Sequence, residues 1–354
     1  MLASVPVIDL TPLTDGTPGG PGRVARAVNA ACADIGFFTI AGHGVPATLV
    51  RRMLATSLAF FDLPAAEKQA VRRPWPEQSR GYLAPGDENL SYSRDDATTT
   101  DLKEFFAIGP VDVPDEEYYR RPEAYPAFAP NLWPVRPPAL RAVWTEYYRA
   151  LEALAARVMR TFAIALDLPE GFFRDKTDRH ISGLRANHYP EQVEPPRPGQ
   201  IRAGAHTDYG AVTILLPDGG PGLEVLNRRG EWVAVLPPPG TFVCNIGDLM
   251  QRWTNDRWIS TMHRVVNPPR DAAGTRRLSI PFFHQPNHDA LIECLPSCCG
   301  PDEPPRYEPV TSGHHRLTKF LRGVGVSHPA SPHPASPHPA LSPEGRGFMG
   351  SSEP

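Results

Sequence analysis

His206-Thr207-Asp208 is the stretch on which the reading of this chain turns, together with His263 and Arg277-Leu278-Ser279 further downstream. In an extended strand, residues i and i+2 point to one side, so His206 and Asp208 share a face while Thr207 looks away. Alone, a His-x-Asp tripeptide is a weak signal. It equally suits a solvated strand edge, or a turn in which the carboxylate caps a local amide. A second imidazole changes its meaning. Two imidazoles and one carboxylate can bind one face of a ferrous ion and leave positions open for exchangeable ligands, dioxygen among them.

The second imidazole lies in a patterned segment: Asn245-Ile246-Gly247-Asp248-Leu249-Met250, then Thr254-Asn255-Asp256, then Trp258-Ile259-Ser260-Thr261-Met262-His263-Arg264-Val265. This spacing predicts a strand, a turn at Asn255-Asp256, and a second strand ending in His263 on the pocket face. Ile259, Thr261, His263 and Val265 form a mostly apolar side, which also suits a core histidine with a hydrogen-bonded ring. Arg277 and Ser279 share one face of a further strand, expected one hairpin on, with Leu278 opposite. A guanidinium fork beside a hydroxyl fits a carboxylate held at a fixed distance, so a carboxylate-bearing co-substrate is implied. The plain alternative for an arginine is a surface salt bridge.

Composition fits an enzyme with a sizeable core. The 354 residues allow one large or two modest domains, and 41% of them are hydrophobic. A net charge of −3 offers no general attraction to nucleic acid or to an anionic membrane. No apolar run approaches a spanning length, and Met1-Leu2-Ala3-Ser4-Val5-Pro6 lacks a signal-peptide pattern, so a cytoplasmic location is expected. The cysteines Cys32, Cys244, Cys294, Cys298 and Cys299 lack zinc-ligand spacing and read as reduced thiols. Cys298-Cys299 reads as part of a turn between Leu295-Pro296 and Gly300-Pro301.

Along the chain, Val24 to Cys32 reads as a helix, Phe37-Phe38-Thr39-Ile40 as a strand, and Ala47 to Phe61 as a helix. His43, between Gly42 and Gly44, reads as structural. Pro74 to Pro138 is proline-rich and expected to be mostly loop, of a length that commonly covers an active site. Leu140 to Leu166 predicts one long amphipathic helix with Val143, Tyr147, Leu151, Leu154, Val158, Phe162 and Leu166 on its core face. From Ile181 to Phe283, short strands alternate with glycine and proline turns, as in an antiparallel sandwich or barrel. Beyond Arg322 a Ser-His-Pro-Ala repeat, including His328, His333 and His338, has almost nothing to bury and reads as a solvated, disordered tail. The division expected is 5–138, a region of helices, short strands and covering loops; 139–322, the long helix and the strand-rich core; and 323–354, the tail.

Taken in order, these motifs resemble one family, the iron(II)- and 2-oxoglutarate-dependent dioxygenases of the isopenicillin N synthase-like branch. The resemblance rests on His206-x-Asp208, Asn245-Ile246-Gly247-Asp248, Thr254-Asn255, His263-Arg264-Val265, Arg277-x-Ser279 and Pro281-Phe282-Phe283. Upstream it includes Pro6-Val7-Ile8-Asp9-Leu10, Gly36-Phe37-Phe38, Gly42-His43-Gly44-Val45-Pro46, Arg80-Gly81-Tyr82 and Asp101-Leu102-Lys103-Glu104, so it covers the chain to about Leu321.

The resemblance implies an α+β protein built on a double-stranded β-helix, or jelly roll, braced by helices. It implies His206, Asp208 and His263 as iron ligands, and Arg277 with Ser279 as the clamp on the distal carboxylate of 2-oxoglutarate. Asn187 and Tyr189 match positions that lie beside the co-substrate in similar enzymes. His188, often tyrosine in relatives, should face away from Tyr189 in a structural role. Phe283, Arg94 and Arg185 are expected at the substrate pocket, with Tyr92, Lys103 and His284 on segments that approach the barrel mouth. The activity implied is oxidative decarboxylation of 2-oxoglutarate to succinate and carbon dioxide, coupled through Fe(II) and dioxygen to hydroxylation, desaturation or cyclisation of a small organic molecule. Two alternatives stay open from sequence: an iron oxidase of the same fold that uses no 2-oxo acid, and a catalytically silent binding module. Nothing in the sequence speaks to the oligomeric state.

Overall fold

The computed structural model describes residues 4–87, 101–192 and 194–323, so Tyr92, Arg94 and nearly all of the predicted tail lie outside the described residues. In chain order the elements begin with β1 (Val7–Asp9), α1 (Gly20–Asp34), β2 (Phe37–Ala41), α2 (Ala47–Phe61), α3 (Ala65–Gln69), β3 (Gly81–Leu83), β4 (Glu104–Ile108), α4 (Glu117–Arg120), α5 (Leu140–Ala165) and α6 (Arg174–Thr177). They continue with β5 (Gly183–Tyr189), β6 (Ala203–His206), β7 (Val212–Pro217), β8 (Leu223–Leu226), β9 (Trp232–Ala234), β10 (Phe242–Ile246), α7 (Asp248–Trp253), β11 (His263–Val265), β12 (Arg277–His284), β13 (Leu291–Ile292), β14 (Val310–Thr311) and α8 (Ser312–Gly323).

Two sheets carry the architecture. The large one runs β1-β2-β10-β7-β12-β5-β4-β3, and the small one β6-β11-β8-β9. All their pairings are antiparallel except β1 with β2. Strands from the first 110 residues therefore extend both edges of a sheet whose centre comes from the second half of the chain.

Strand alternation sorts the side chains of the large sheet onto two faces. Leu278, Ile280 and Phe282 of β12, Ile214 and Leu216 of β7, and Cys244 and Ile246 of β10 all join the core formed with the helices. Their odd-numbered neighbours look the other way, toward the small sheet, where Phe37, Leu215 and Val243 pack on Leu223 and Val225 of β8. Both faces are covered, which explains why these strands read as nearly continuous apolar runs. A slip of one residue would exchange the two faces along an entire strand.

Helix α5 backs the sheet. Its predicted stripe of Val143, Tyr147, Leu151, Leu154, Val158 and Phe162 is buried in the core, and Leu166 is its buried C-cap. Each such side chain contributes roughly 1.5–3 kcal/mol by leaving water. The predicted helix at Ala47 to Phe61 is α2, and Val24 to Cys32 lies within α1.

Several expectations need correction. Within the loop-rich stretch Pro74 to Pro138, β3 and β4 complete one edge of the large sheet. All five residues of β4 are buried, so it shows no alternation. Asp248 to Trp253 is a helix, not the end of a strand: Leu249, Met250 and Trp253 bury one side of a short helical turn. The turn at Asn255-Asp256 exists, with both residues at positive φ, yet it ends that helix instead of closing a hairpin. His263 consequently begins β11 and does not end a strand. Nor are β11 and β12 a hairpin, since they belong to different sheets.

Candidate active site

The two histidines face each other across the small sheet. His206 on β6 is the register partner of His263 on β11, and their ring centroids are 4.3 Å apart. Asp208 follows two residues beyond the end of β6, with Oδ1 3.9 Å from His263 Nε2. One potential ligand atom from each of His206, Asp208 and His263 lies within 4.8 Å of the others.

Hydrogen bonds on the far side of each group set the direction of its free atom. His206 Nδ1 is 2.7 Å from Gly204 O, and His263 Nδ1 is 3.1 Å from Thr261 O. With Nδ1–H donated to a carbonyl, each Nε2 keeps its lone pair for the cavity. Thr213 Oγ1 and Asn245 Nδ2 donate to Asp208 Oδ2 at 2.6 and 2.7 Å, which leaves Oδ1 toward the histidines. Phe37 packs edge-on against His263 at 5.4 Å.

The protonation states follow from the surroundings. Burial, and then the neighbouring His263, lower the pKa of His206, so its ring stays uncharged. Burial alone would raise the pKa of Asp208; the histidines and the Asn245 and Thr213 hydrogen bonds outweigh it and keep the carboxylate ionised. Two imidazole nitrogens and one carboxylate oxygen form a donor set that fits ferrous iron.

A second constellation lies on the inward face of the large sheet. In the β5–β12 register Arg277 opposes Tyr189 and Ser279 opposes Asn187, so the four residues expected beside the co-substrate form two adjacent cross-strand pairs. Arg277 is 4% exposed, and its Cζ lies 5.2 Å from the centre of the Tyr189 ring. Its buried Nε and Nη1 make no hydrogen bond, although Asp218 Oδ1 approaches Nε to 3.9 Å. Asn187 Oδ1 is likewise buried without a partner. A guanidinium with unfilled donors away from water is costly unless an anion completes it, so these residues fit a carboxylate.

Both constellations open into one cavity of about 1160 Å³, its mouth included. Arg185 and Phe283 line it, as does Lys103, whose Nζ is 2.6 Å from Asp101 Oδ2. Arg185 Cζ lies 3.9 Å from the Phe105 ring centre and 5.6 Å from that of Phe283. His284 does not line the cavity: one residue beyond Phe283, it turns to the opposite face, where Nδ1 is 3.0 Å from Ser182 Oγ. His188 faces away from the cavity as expected, 2.8 Å from Glu104 Oε1 and stacked on Phe61. His43 is also structural, with Nε2 3.0 Å from Gly240 O.

Sequence reasoning assigned no role to Thr213, to the Asn245 side chain, or to Arg316 and Phe320 of α8, both of which line the cavity. Asn245 and Thr213 could have been found from inward alternation on β10 and β7. The residues of α8 follow the last motif and offered no such signal.

Comparison with known proteins agrees with this geometry. Residues 5–136 match the family described as non-haem dioxygenase in morphine synthesis N-terminal, and residues 180–286 match the 2OG-Fe(II) oxygenase superfamily. The chain is 36% identical over 311 residues to the 2-oxoglutarate-Fe(II) type oxidoreductase hxnY of Emericella nidulans, covering 86% of each chain. The crystal structure of a full-length Neurospora crassa protein in complex with alpha-KG and thymine aligns with a TM-score of 0.78 at 31% identity, covering 90% of this chain and 96% of that one. JOX2 in complex with 2OG, Fe and JA aligns with a TM-score of 0.73 at 28% identity, covering 90% of this chain and 85% of that one. The two-sheet core is thus the double-stranded β-helix of an α+β protein. The chain belongs to the 2OG-Fe(II) oxygenase superfamily and is a dioxygenase that works with ferrous iron, 2-oxoglutarate and dioxygen.

Proposed function

We propose that His206, Asp208 and His263 hold the iron, and that Arg277 and Ser279, flanked by Asn187 and Tyr189, hold the distal carboxylate of 2-oxoglutarate. Phe283 and Arg185 then contact a small organic substrate; Arg94, also expected at the substrate pocket, lies outside the described residues. The observation that carries this reading is the unfilled Arg277 guanidinium in the same cavity as three converging donor atoms.

When bound, the iron and 2-oxoglutarate supply an oxidant able to take hydrogen from an unactivated carbon. The protein's share is placement. Gly204 and Thr261 carbonyls fix the two imidazole tautomers, and Thr213 and Asn245 orient the carboxylate. Arg277 anchors the co-substrate at its far end, and the apolar walls keep water from the reacting groups. The outcome is oxidation of the substrate by hydroxylation, desaturation or cyclisation, with succinate and carbon dioxide as co-products.

Among the described residues no helix is long and apolar enough to cross a membrane. All five cysteines are free, which favours a reducing compartment, and we assign the protein to the cytoplasm with a small-molecule partner in place of nucleic acid. We also assign residues 5–138 to bracing and cover, 139–322 to the oxygenase core, and 323–354 to a dispensable tail.

Anaerobic addition of Fe(II) and 2-oxoglutarate to the full chain should produce a weak visible charge-transfer band. Arg277→Ala should abolish it and truncation after Arg322 should not. His206→Ala and Asp208→Ala should each lose iron retention and turnover. A wild-type protein without the band would overturn the co-substrate assignment, and unchanged iron content in both variants would overturn the ligand set.

A further inference from the structure

The two histidines read as iron ligands are oriented by the same device, a carbonyl two residues earlier in the chain. His206 Nδ1 lies 2.7 Å from Gly204 O, and His263 Nδ1 lies 3.1 Å from Thr261 O. Thr261 anchors itself, because its Oγ1 donates to Ile35 O at 2.6 Å. Gly204 has no side chain with which to do so, and glycine is the residue with the most backbone freedom to lose.

The strand that carries Gly204 adds little restraint. β6 is the outer strand of the small sheet and pairs on one side only, with β11. That pairing is irregular: His206 opposes His263 and Ala203 opposes Val265, so three steps along β6 match two along β11. A bulge bends its strand and re-aims nearby side chains, so the direction of His206 depends on what holds the backbone beside it.

The missing anchor comes from the Asp101-Leu102-Lys103-Glu104 motif, which leads into β4 at the edge of the large sheet. Asp101 Oδ1 accepts the Gly204 N–H at 2.9 Å, and Leu102 N donates to Ile201 O at 3.2 Å. Lys103 Nζ is 2.6 Å from the other carboxylate oxygen, Oδ2, and both side chains are buried. Charge-assisted hydrogen bonds in such a setting are short and strong. Gly204 is thus held at both of its polar groups, the N–H by Asp101 and the carbonyl by His206.

We propose that Asp101 is a positioning residue for His206: it fixes the Gly204 backbone and, through the Gly204 carbonyl, the tautomer and aim of the imidazole, while Lys103 orients the Asp101 carboxylate. This rests on the assignment of His206 as an iron ligand. It gives a task to a motif that contributes no ligand of its own, and it ties the edge of the large sheet to the metal centre through one backbone amide.

Two double variants isolate the acceptor. Asp101→Leu/Lys103→Met removes the buried pair together with the oxygen that Gly204 uses. Asp101→Asn/Lys103→Met removes the charges and keeps an oxygen. Neither leaves an unpaired buried charge, so both should fold. Heteronuclear NMR of the metal-free full chain reports which ring nitrogen of each histidine carries the proton. His206 should be protonated at Nδ1 in the wild type and the asparagine pair and a mixture of tautomers in the leucine pair, with His263 unchanged throughout. Anaerobic titration with Fe(II) should give a dissociation constant about tenfold higher for the leucine pair than for the asparagine pair. Urea unfolding completes the set: lower stability of the leucine pair with an unchanged tautomer and equal iron affinities overturns the proposal, since a merely structural contact would behave that way. Should the leucine pair not fold, Asp101→Glu, which keeps the charge and displaces the acceptor, is compared with the wild type by the same measurements and the same criteria. His206→Ala keeps the two readings apart: unchanged iron content in that variant defeats the ligand assignment, whereas iron lost there and retained normally by the leucine pair defeats only this one.

Discussion

The two faces of the large sheet are built from the same strands and do opposite work. On the helix side of β12, Leu278, Ile280 and Phe282 disappear into the main core. On the cavity side of that strand, Arg277 and Ser279 present polar groups, and Pro281 and Phe283 continue the wall. The helix side carries the folding energy, and so it can hold a buried guanidinium in place on the reverse. Catalytic polarity is tolerated on one face because the other is mostly apolar and anchored by α1, α2 and α5.

That contrast can be broken most sharply at adjacent residues. Phe282→Ala should destabilise the protein by about 3–5 kcal/mol through loss of buried contacts and the cavity left behind. Phe283→Ala should cost about 1 kcal/mol or less in stability and instead lower kcat/KM for the organic substrate. Urea unfolding and steady-state kinetics on the pair check this, and equal stability losses would erase the distinction between faces.

A smaller effect concerns polar support. Thr213→Val deletes a donor to Asp208 and should weaken iron binding by roughly 10–100-fold. Thr161→Val on α5, where the hydroxyl bonds only to Arg157 O, should leave iron affinity unchanged. Iron titrations that fail to separate the two threonines would show that Asp208 needs no orientation from the large sheet.

The smallest effect is the pH response of the helix side. Burial, and then the neighbouring His180, hold the pKa of His284 well below its ordinary value. Below about pH 6.5 the unfolded chain therefore takes up a proton that the folded protein refuses, and stability falls by up to about 1.4 kcal/mol per pH unit. In metal-free protein, thermal unfolding between about pH 7.5 and 5.5 should show a steeper loss for wild type than for His284→Gln. Parallel curves would mean that this face accepts charge after all.

How much of this could be read in advance depended on where the signal resides. His206, Asp208, His263, Arg277 and Ser279 announce themselves because few other tasks need those groups at those spacings. The long helix was equally plain, since the α5 stripe keeps one helical period over its length. What escaped was either hidden by burial on both sides or created only by folding. The strand β4 has no polar alternate residue to mark it, and Leu249, Met250 and Trp253 suit a short helix as well as a strand end. Thr213 and Asn245 matter through a contact with Asp208 that sequence separation conceals. Arg316 gains its meaning only when α8 closes against the wall formed by Ser79.

The tautomers set by Gly204 and Thr261 also bear on which ion the protein acquires. Two imidazole nitrogens and a carboxylate oxygen, already aligned, present nothing that repels zinc, nickel or copper, and intrinsic affinity along the divalent series rises past iron toward copper. Metal supply is therefore one of the factors that decide the occupant, and protein folded where zinc is abundant should carry zinc in place of iron, which metal analysis of the purified chain checks.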